Sequence, residues 1–246
     1  MDNTVALVIT SCDRFDLLEK TLESFFKHNT YELNEIIITE DSNKEEKLNK
    51  ILHRYKNIYN IKTIINKTKL GQLKSIDNAY SHVNSKYVFH CEDDWKFLKD
   101  GFIEKSIQIL KNKKILSVWL RDIKEYDTIN FSNEIYTTNN INYKLVYNEI
   151  LSFNPGLRRY EDYKLIEKFS KFSKKGFESD ISNFYINKGF YSSILSEAYV
   201  EHMGWHRRVL NANKKRIALI YTMDNFVKKI KAKIYKVFKL GKFKQY

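Results

Sequence analysis

Lys86-Tyr87-Val88-Phe89-His90-Cys91-Glu92-Asp93-Asp94-Trp95 starts as a run of β-formers and ends in three consecutive carboxylates closed by a tryptophan. Burying unpaired charge is strongly unfavourable, so a buried strand cannot run through Glu92, Asp93 and Asp94 without partners for them. The strand is expected to end where the acids begin. The acids then stand at the carboxyl edge of a sheet, where open α/β folds bind ligands. Hard oxygen donors clustered there suit Mg2+ or Mn2+, which in turn would hold phosphate oxygens. The plain alternative is a solvated acidic turn.

The chain before this stretch supplies the sheet. Thr4 to Thr10 is a continuous apolar run, as expected for a parallel strand covered on both faces. A polar loop, Ser11-Cys12-Asp13-Arg14, follows it. Phe15 to Phe26 then has apolar residues at helical spacing, with Asp13 the expected N-cap. Glu35 to Thr39 reads as a second strand ending in Glu40-Asp41-Ser42, Glu45 to Tyr55 as a helix, and Ile61 to Ile65 as a third strand. A helix opens at Leu70-Gly71-Gln72-Leu73-Lys74 and continues through Ile76, Ala79, Tyr80 and Val83. This alternation predicts a parallel sheet with right-handed crossovers, whose polar strand-end loops share one rim. Neither G-x-G-x-x-G nor G-x-x-x-x-G-K-[ST] is present, which argues against a dinucleotide fingerprint and a P-loop.

Val5–Ser11, Glu35–Ser42, Gly71–Asn78 and Phe89–Trp95 together resemble the nucleotide-sugar half of a GT-A glycosyltransferase, close to the inverting family-2 type. The resemblance implies an α/β fold of the nucleotide-diphospho-sugar transferase class: a Rossmann-like, mostly parallel sheet flanked by helices, with a C-terminal helical extension. In that family the second strand ends in an acidic pair that binds base or ribose, and Glu40-Asp41-Ser42 occupies that place. The fourth strand ends in the D-x-D motif, which reads Glu92-Asp93-Asp94 here, as in the Glu-Asp-Asp variants of related N-acetylglucosaminyltransferases. By the same resemblance Asp94 holds a Mn2+ or Mg2+ ion, and Glu92 or Asp93 supports ribose or metal-bound water. Ser11, Asp13, Arg14, Asp41, Gly71 and Lys74 complete the expected donor-binding set. The helix from Gly71 departs from the pattern: Ile76-Asp77 stands where the family has Arg-Asn, so Lys74 is either a phosphate or base contact or a solvated lysine.

Downstream, Asp100 to Leu110 reads as an amphipathic helix and Leu116 to Arg121 as a strand. Residues 122–148 are polar and rich in Tyr and Asn, with short strands expected at Ile135–Thr137 and Lys144–Tyr147, and read as an acceptor-side insertion. The only proline, Pro155, precedes Gly156 and predicts a turn beside the site. Phe177-Glu178-Ser179-Asp180-Ile181 leads into a helical stretch ending at Lys188-Gly189-Phe190. The family resemblance places its catalytic carboxylate on Glu178 and its second acid on Asp180. Phe177 replaces the first family acid, and no arginine follows in the helix. The alternative for this stretch is N-cap chemistry from Ser179 or Asp180. The resemblance also implies a C-terminal histidine that completes the metal or pyrophosphate site, His202 first and His206 second, where an isolated histidine would otherwise be structural or solvated.

The 246 residues, 43% hydrophobic and 15% aromatic, suffice for one large domain. We expect a single catalytic domain over 1–210, with a donor half at 1–98 and an acceptor half at 99–210. Two distant cysteines, Cys12 and Cys91, and no secretory leader point to a cytoplasmic protein with free thiols. No apolar run approaches the ~18–20 residues of a membrane span. The net charge of +13 is concentrated toward the C-terminal end. Nucleic-acid signatures are missing, and nucleic acid is not an expected partner. Within 211–246, Met223, Phe226, Val227, Ile230, Ile234, Val237 and Phe238 form an apolar stripe beside a lysine face. That pattern reads as a peripheral helix on an anionic membrane surface, or as a helix packed on the domain or on another subunit. The expected function is metal-dependent transfer of a sugar from a nucleotide-diphosphate donor to a glycan or lipid-linked acceptor. The alternative is a non-catalytic sugar-nucleotide or glycan-binding module.

Overall fold

The first apolar run forms strand β1, Val5–Ser11, and its alternate residues enter two different cores. Val5, Leu7 and Ile9 face one side of the sheet, while Ala6 and Val8 face the other. A period-two strand clothed on both faces has to be apolar throughout, which is why the sequence shows no alternation there. The computed structural model describes residues 3–172, 176–205 and 207.

In chain order the elements after β1 are α1 (Phe15–His28), β2 (Glu35–Glu40), α2 (Glu45–Lys56), β3 (Ile61–Ile65), α3 (Gln72–Tyr80), β4 (Tyr87–Glu92) and β5 (Trp95–Phe97). They continue with α4 (Phe102–Ile109), β6 (Ile115–Trp119), β7 (Tyr136–Thr138), β8 (Ile141–Val146), β9 (Gly156–Arg159) and α5 (Tyr160–Ile166). The last are α6 (Phe177–Ile186), β10 (Tyr191–Leu195) and β11 (Val200–His202). Nine strands form one sheet in the order β3-β2-β1-β4-β9-β6-β10-β8-β7, and β5 pairs with β11 in a separate ribbon. β3, β2, β1 and β4 are mutually parallel, so their carboxyl ends lie on one rim. All of these elements belong to the unit Met1–Trp205.

Helices cover both faces. Leu18, Leu22 and Phe25 of α1, Leu48 and Leu52 of α2, and Phe102, Ile103 and Ile107 of α4 pack on Leu7, Ile9, Ile36, Ile38 and Phe89. Leu73, Ile76 and Tyr80 of α3, Tyr163 of α5, and Ile181 and Tyr185 of α6 pack on Ala6, Val8, Ile37 and Val88. Each such side chain, fully buried, contributes about 1.5–3 kcal/mol relative to exposure.

Two N-cap expectations are corrected, and the turn at Pro155 is located. The N-cap of α1 is Arg14; Asp13 precedes it in a left-handed conformation, φ 56°, and its carboxylate pairs with Lys44 at 2.5 Å. The Pro155-Gly156 turn is a bend at Asn154-Pro155 that feeds directly into a strand. That strand, β9, runs antiparallel between β4 and β6. Gly156 is required there, because a Cβ would lie 2.5 Å from the carbonyl oxygen of Val118. Finally, the N-cap of α6 is Gly176, so Glu178, Ser179 and Asp180 all sit in its first turn and neither Ser179 nor Asp180 caps it. His206 and the lysine-faced segment at 211–246 lie outside the described residues. Among the described residues no helix is long and apolar enough to cross a membrane.

Candidate active site

The acids do end the strand. Glu92 closes β4, and Asp93-Asp94 turn the chain into β5. They do not form a solvated turn, however: Asp93 is 0% and Asp94 4% exposed. Burial on that scale demands partners, and the loop after β1 supplies them. Ser11 Oγ donates to Asp93 Oδ2 at 3.1 Å, and the Cys12 N–H donates to the same oxygen at 3.2 Å. The Arg14 guanidinium forks across both acids, with Nε on Asp93 Oδ2 at 3.3 Å and its terminal nitrogens on Asp93 Oδ1 and Asp94 Oδ2. Thr21, on the buried face of α1, donates from its hydroxyl to the Asp93 carbonyl at 2.9 Å and accepts the Trp95 N–H at 3.0 Å.

The β5–β11 ribbon brings in the far end of the unit. His202 is in register with Trp95, and the Met203 N–H donates to the Asp94 carbonyl at 2.8 Å. His202 Nε2 thereby stands 3.2 Å from Asp94 Oδ2. Its ring lies between Trp95 and Trp205, at 4.8 and 4.9 Å between centroids. Arg121 stacks over Trp95, Tyr126 and Trp205. One wall of the site is therefore aromatic and cationic.

On the β2 side Asp41 is buried and already engaged. It accepts from Asn66 Nδ2 at 2.9 Å, from the Leu70 N–H at 2.7 Å and from the Gly71 N–H at 2.8 Å. Three acceptor positions are used in shaping the loop that enters α3, and a carboxylate offers about four. Glu40 Oε1 takes the Asp13 N–H at 3.0 Å. Gln72 at the start of α3 donates to Glu92 Oε1 at 2.9 Å. Lys74 is exposed on the first turn of α3 and makes no contact with the acids among the described residues. Asp77, at the departure from the family pattern, is structural: it accepts from Tyr163 Oη at 2.9 Å and from the N–H groups of Phe169 and Ser170 at 2.8 and 2.9 Å.

Glu178 stands on the first turn of α6. The Phe153 N–H acts to lower its pKa, and its own charge adds the smallest share to the rise at Glu92. Water reaches the side chain, but the surrounding protein raises its pKa above the ordinary glutamate value. Glu149 adds to that rise, and the Phe153 N–H and the Arg158 charge oppose it. Asp180 is exposed and touches none of these acids among the described residues.

Burial, then Asp94 and Asp93, push Glu92 up to about 8. Burial raises Asp93 to about 6 against the pull of Arg14. For Asp94, burial acts upward, but the His202 hydrogen bond and the Arg14 charge outweigh it and hold the carboxyl below its usual range.

These residues fit a divalent ion in one arrangement. Asp94 Oδ1 is buried with no hydrogen-bond partner among the described residues, and its other oxygen adjoins His202. No three His, Cys, Asp or Glu side chains converge as a metal cage among the described residues. A Mg2+-like ion held by one or two side chains, with water and phosphate oxygens completing the shell, needs no such cage.

Cys12, Thr21, Gln72 and Gly204 were not legible as site residues. Two of them, Cys12 and Gly204, act through backbone or through lack of a side chain. Thr21 left one signal, a hydroxyl on the buried stripe of an amphipathic helix.

Comparison with known proteins bears on the family and the fold. Residues 6–188 match the model of glycosyl transferase family 2. No curated protein sequence matches the chain. Among solved structures, that of GalNAc-T7 with UDP, GalNAc and Mn2+ superposes with a TM-score of 0.64 at 13% identity, over 81% of this chain and 44% of that one. TarS 1–349 of S. aureus gives 0.60 at 14%, over 82% and 60%. The mannosyltransferase PcManGT of Pyrobaculum calidifontis, with GDP-Man and Mn2+, gives 0.60 at 10%, over 78% and 54%. The chain thus spans less than two thirds of each of these, and at such identities the likeness is one of fold. With the family model spanning β1 to the end of α6, the chain belongs to glycosyl transferase family 2, in the GT-A fold.

Proposed function

We propose that this protein is a metal-dependent inverting glycosyltransferase that moves a sugar from a nucleotide-diphosphate donor, UDP-linked by preference, to a saccharide or lipid-linked glycan acceptor. The observation that carries the reading is the convergence of Asp94, His202 and Arg14 at the carboxyl rim of the sheet. Ser11, Asp13, Asp41 and Gly71 line the nucleoside end, where Asp41 acts chiefly by shaping the loop at 66–71. Asp94 and His202 would hold a Mn2+ or Mg2+ ion, which supplies charge stabilisation to the departing diphosphate. Arg14 adds a second positive charge there. Glu178 takes the proton from the acceptor hydroxyl as its oxygen bonds to the anomeric carbon. The bond from that carbon to the diphosphate oxygen breaks on the opposite face, with inversion. Asp180 is assigned a supporting role at the acceptor. The basic segment at 211–246 would hold the enzyme against an anionic membrane surface on the cytoplasmic side, near a lipid-linked acceptor.

The test is a panel of nucleotide sugars with Mn2+, read as donor hydrolysis or as transfer to glycan acceptors. Turnover of one donor that is lost on adding EDTA is expected. Metal-dependent UDP binding with no turnover of any donor would instead support the binding-module reading.

A further inference from the structure

Arg14 occupies the ground that a metal ion would contest. Its guanidinium spans Asp93 and Asp94 and is only 16% exposed, against acids that are 0% and 5% exposed in their side chains. Asp94 Oδ2 is shared between Arg14 and His202, while Oδ1 has no partner among the described residues. A divalent ion seated between Asp94 and His202 would therefore meet a second cation on the same carboxylate. Like charges in contact across one carboxylate repel strongly where water is scarce. A guanidinium has an alternative that the carboxylates lack, because its planar fork matches a phosphate as well as a carboxylate.

We infer that Arg14 is a resident counter-cation: it assembles Asp93 and Asp94 before any ion arrives, and it competes with the ion until a diphosphate draws it off Asp94. This rests on the proposed donor and metal reading of the site. Metal and nucleotide then bind with positive coupling that passes through Arg14, in addition to their direct contact. In the ion-free protein Arg14 keeps two buried carboxylates from standing unpaired, a state that would otherwise open the loop.

The experiment measures Mn2+ binding to the full chain by calorimetry or by the paramagnetic signal of free Mn2+, with and without UDP, in wild type, Arg14→Gln and Arg14→Lys. Mn2+ alone is expected to bind Arg14→Gln about tenfold or more tightly than wild type, with Arg14→Lys in between. The enhancement of Mn2+ affinity by UDP should shrink in Arg14→Gln by a similar factor, since coupling is reciprocal. Equal or weaker Mn2+ binding in Arg14→Gln overturns the inference. Should Arg14→Gln be unfolded without ions, refolding on adding Mn2+ supports the inference, because the ion then replaces the guanidinium. Failure to fold in either condition makes Arg14 a structural residue alone and overturns it. If wild type bound no UDP in the presence of Mn2+, the donor reading would fall, whereas the comparison with Mn2+ alone would still decide the role of Arg14.

Discussion

His202 Nε2 lies 3.2 Å from Asp94 Oδ2 across 108 residues of chain. The contact is made by backbone pairing, since β11 lies in register along β5 with His202 opposite Trp95. A pair held this way from both strands is preorganised, and its loss should affect metal-dependent binding more than folding. His202→Ala is expected to lower Mn2+-dependent UDP affinity by about 10- to 100-fold, the range seen when a metal site loses a supporting group. Asp94→Asn should lower it further. Calorimetric titration with UDP in Mn2+ and in EDTA separates the ion-dependent part. Unchanged affinity in His202→Ala would remove that residue from the site.

Gly204 tests the same site from behind. A Cβ there would fall 2.1 Å from Asp94 Oδ2 and 2.9 Å from Asp94 Cβ. The carboxylate cannot simply step aside, because Arg14 and His202 hold it. Gly204→Ala should therefore displace Asp94, abolish detectable Mn2+-dependent UDP binding, and destabilise the fold by about 1–3 kcal/mol, as overpacking does. A thermal melt and a UDP titration measure the two effects, and full UDP affinity in this variant would show that Asp94 does not need its present position.

The donor half of the fold was legible because β1, β2 and β4 are buried on both faces. Seven residues from Val5 to Ser11 need no alternation when helices cover both sides. The acids after Phe89 likewise marked the strand end. What the sequence did not disclose was non-local. β9 is four residues long, contains Arg158 and Arg159, and enters the sheet antiparallel between strands from two distant segments. Two arginines in a central strand argue against burial until their acceptors are known; Arg159 finds them in the carbonyls of Leu110, Lys113 and Ile115 and in Asp162. Arg14 as the partner of Asp93 and Asp94 was invisible for the same reason. A salt bridge spanning about 80 positions has no periodic signature. Glu178 could be placed only by resemblance, since its approach to Glu92 depends on how α6 docks.

Asp77 separates structural from functional acids. It stands where the family pattern has a polar side chain facing the donor, yet its oxygens are taken by Tyr163 Oη and by the N–H groups of Phe169 and Ser170. Asp77→Ala leaves those donors buried without an acceptor, which costs about 1–3 kcal/mol per group. The melting temperature should fall by several degrees, while UDP affinity measured well below the melt stays within about twofold of wild type. A large loss of UDP affinity with an unchanged melt would place Asp77 in the donor site instead.

Glu178 yields a prediction in pH. A general base works as its carboxylate, so activity is lost as pH falls through its pKa. The surrounding protein raises that pKa above the ordinary glutamate value, and the Arg158 charge opposes the rise. The acid limb of kcat/KM should thus lie above the usual glutamate range. Arg158 is 3% exposed and donates to the Ser152 carbonyl at 2.8 Å, and its charge acts to lower the Glu178 pKa. Replacing it by methionine keeps much of its volume but removes the charge, so the Glu178 pKa must rise and the acid limb move to higher pH. Arg158→Lys retains the charge and should leave the limb close to wild type. Glu178→Gln should lower kcat by about 10²- to 10⁴-fold, the usual scale for losing a general base, with UDP affinity largely retained. A pH–rate series on the four proteins, with the donor identified by the panel, checks all of these together. An acid limb that stays in place in Arg158→Met, in a protein that still melts cooperatively, would mean that the group titrating on the acid side is not Glu178.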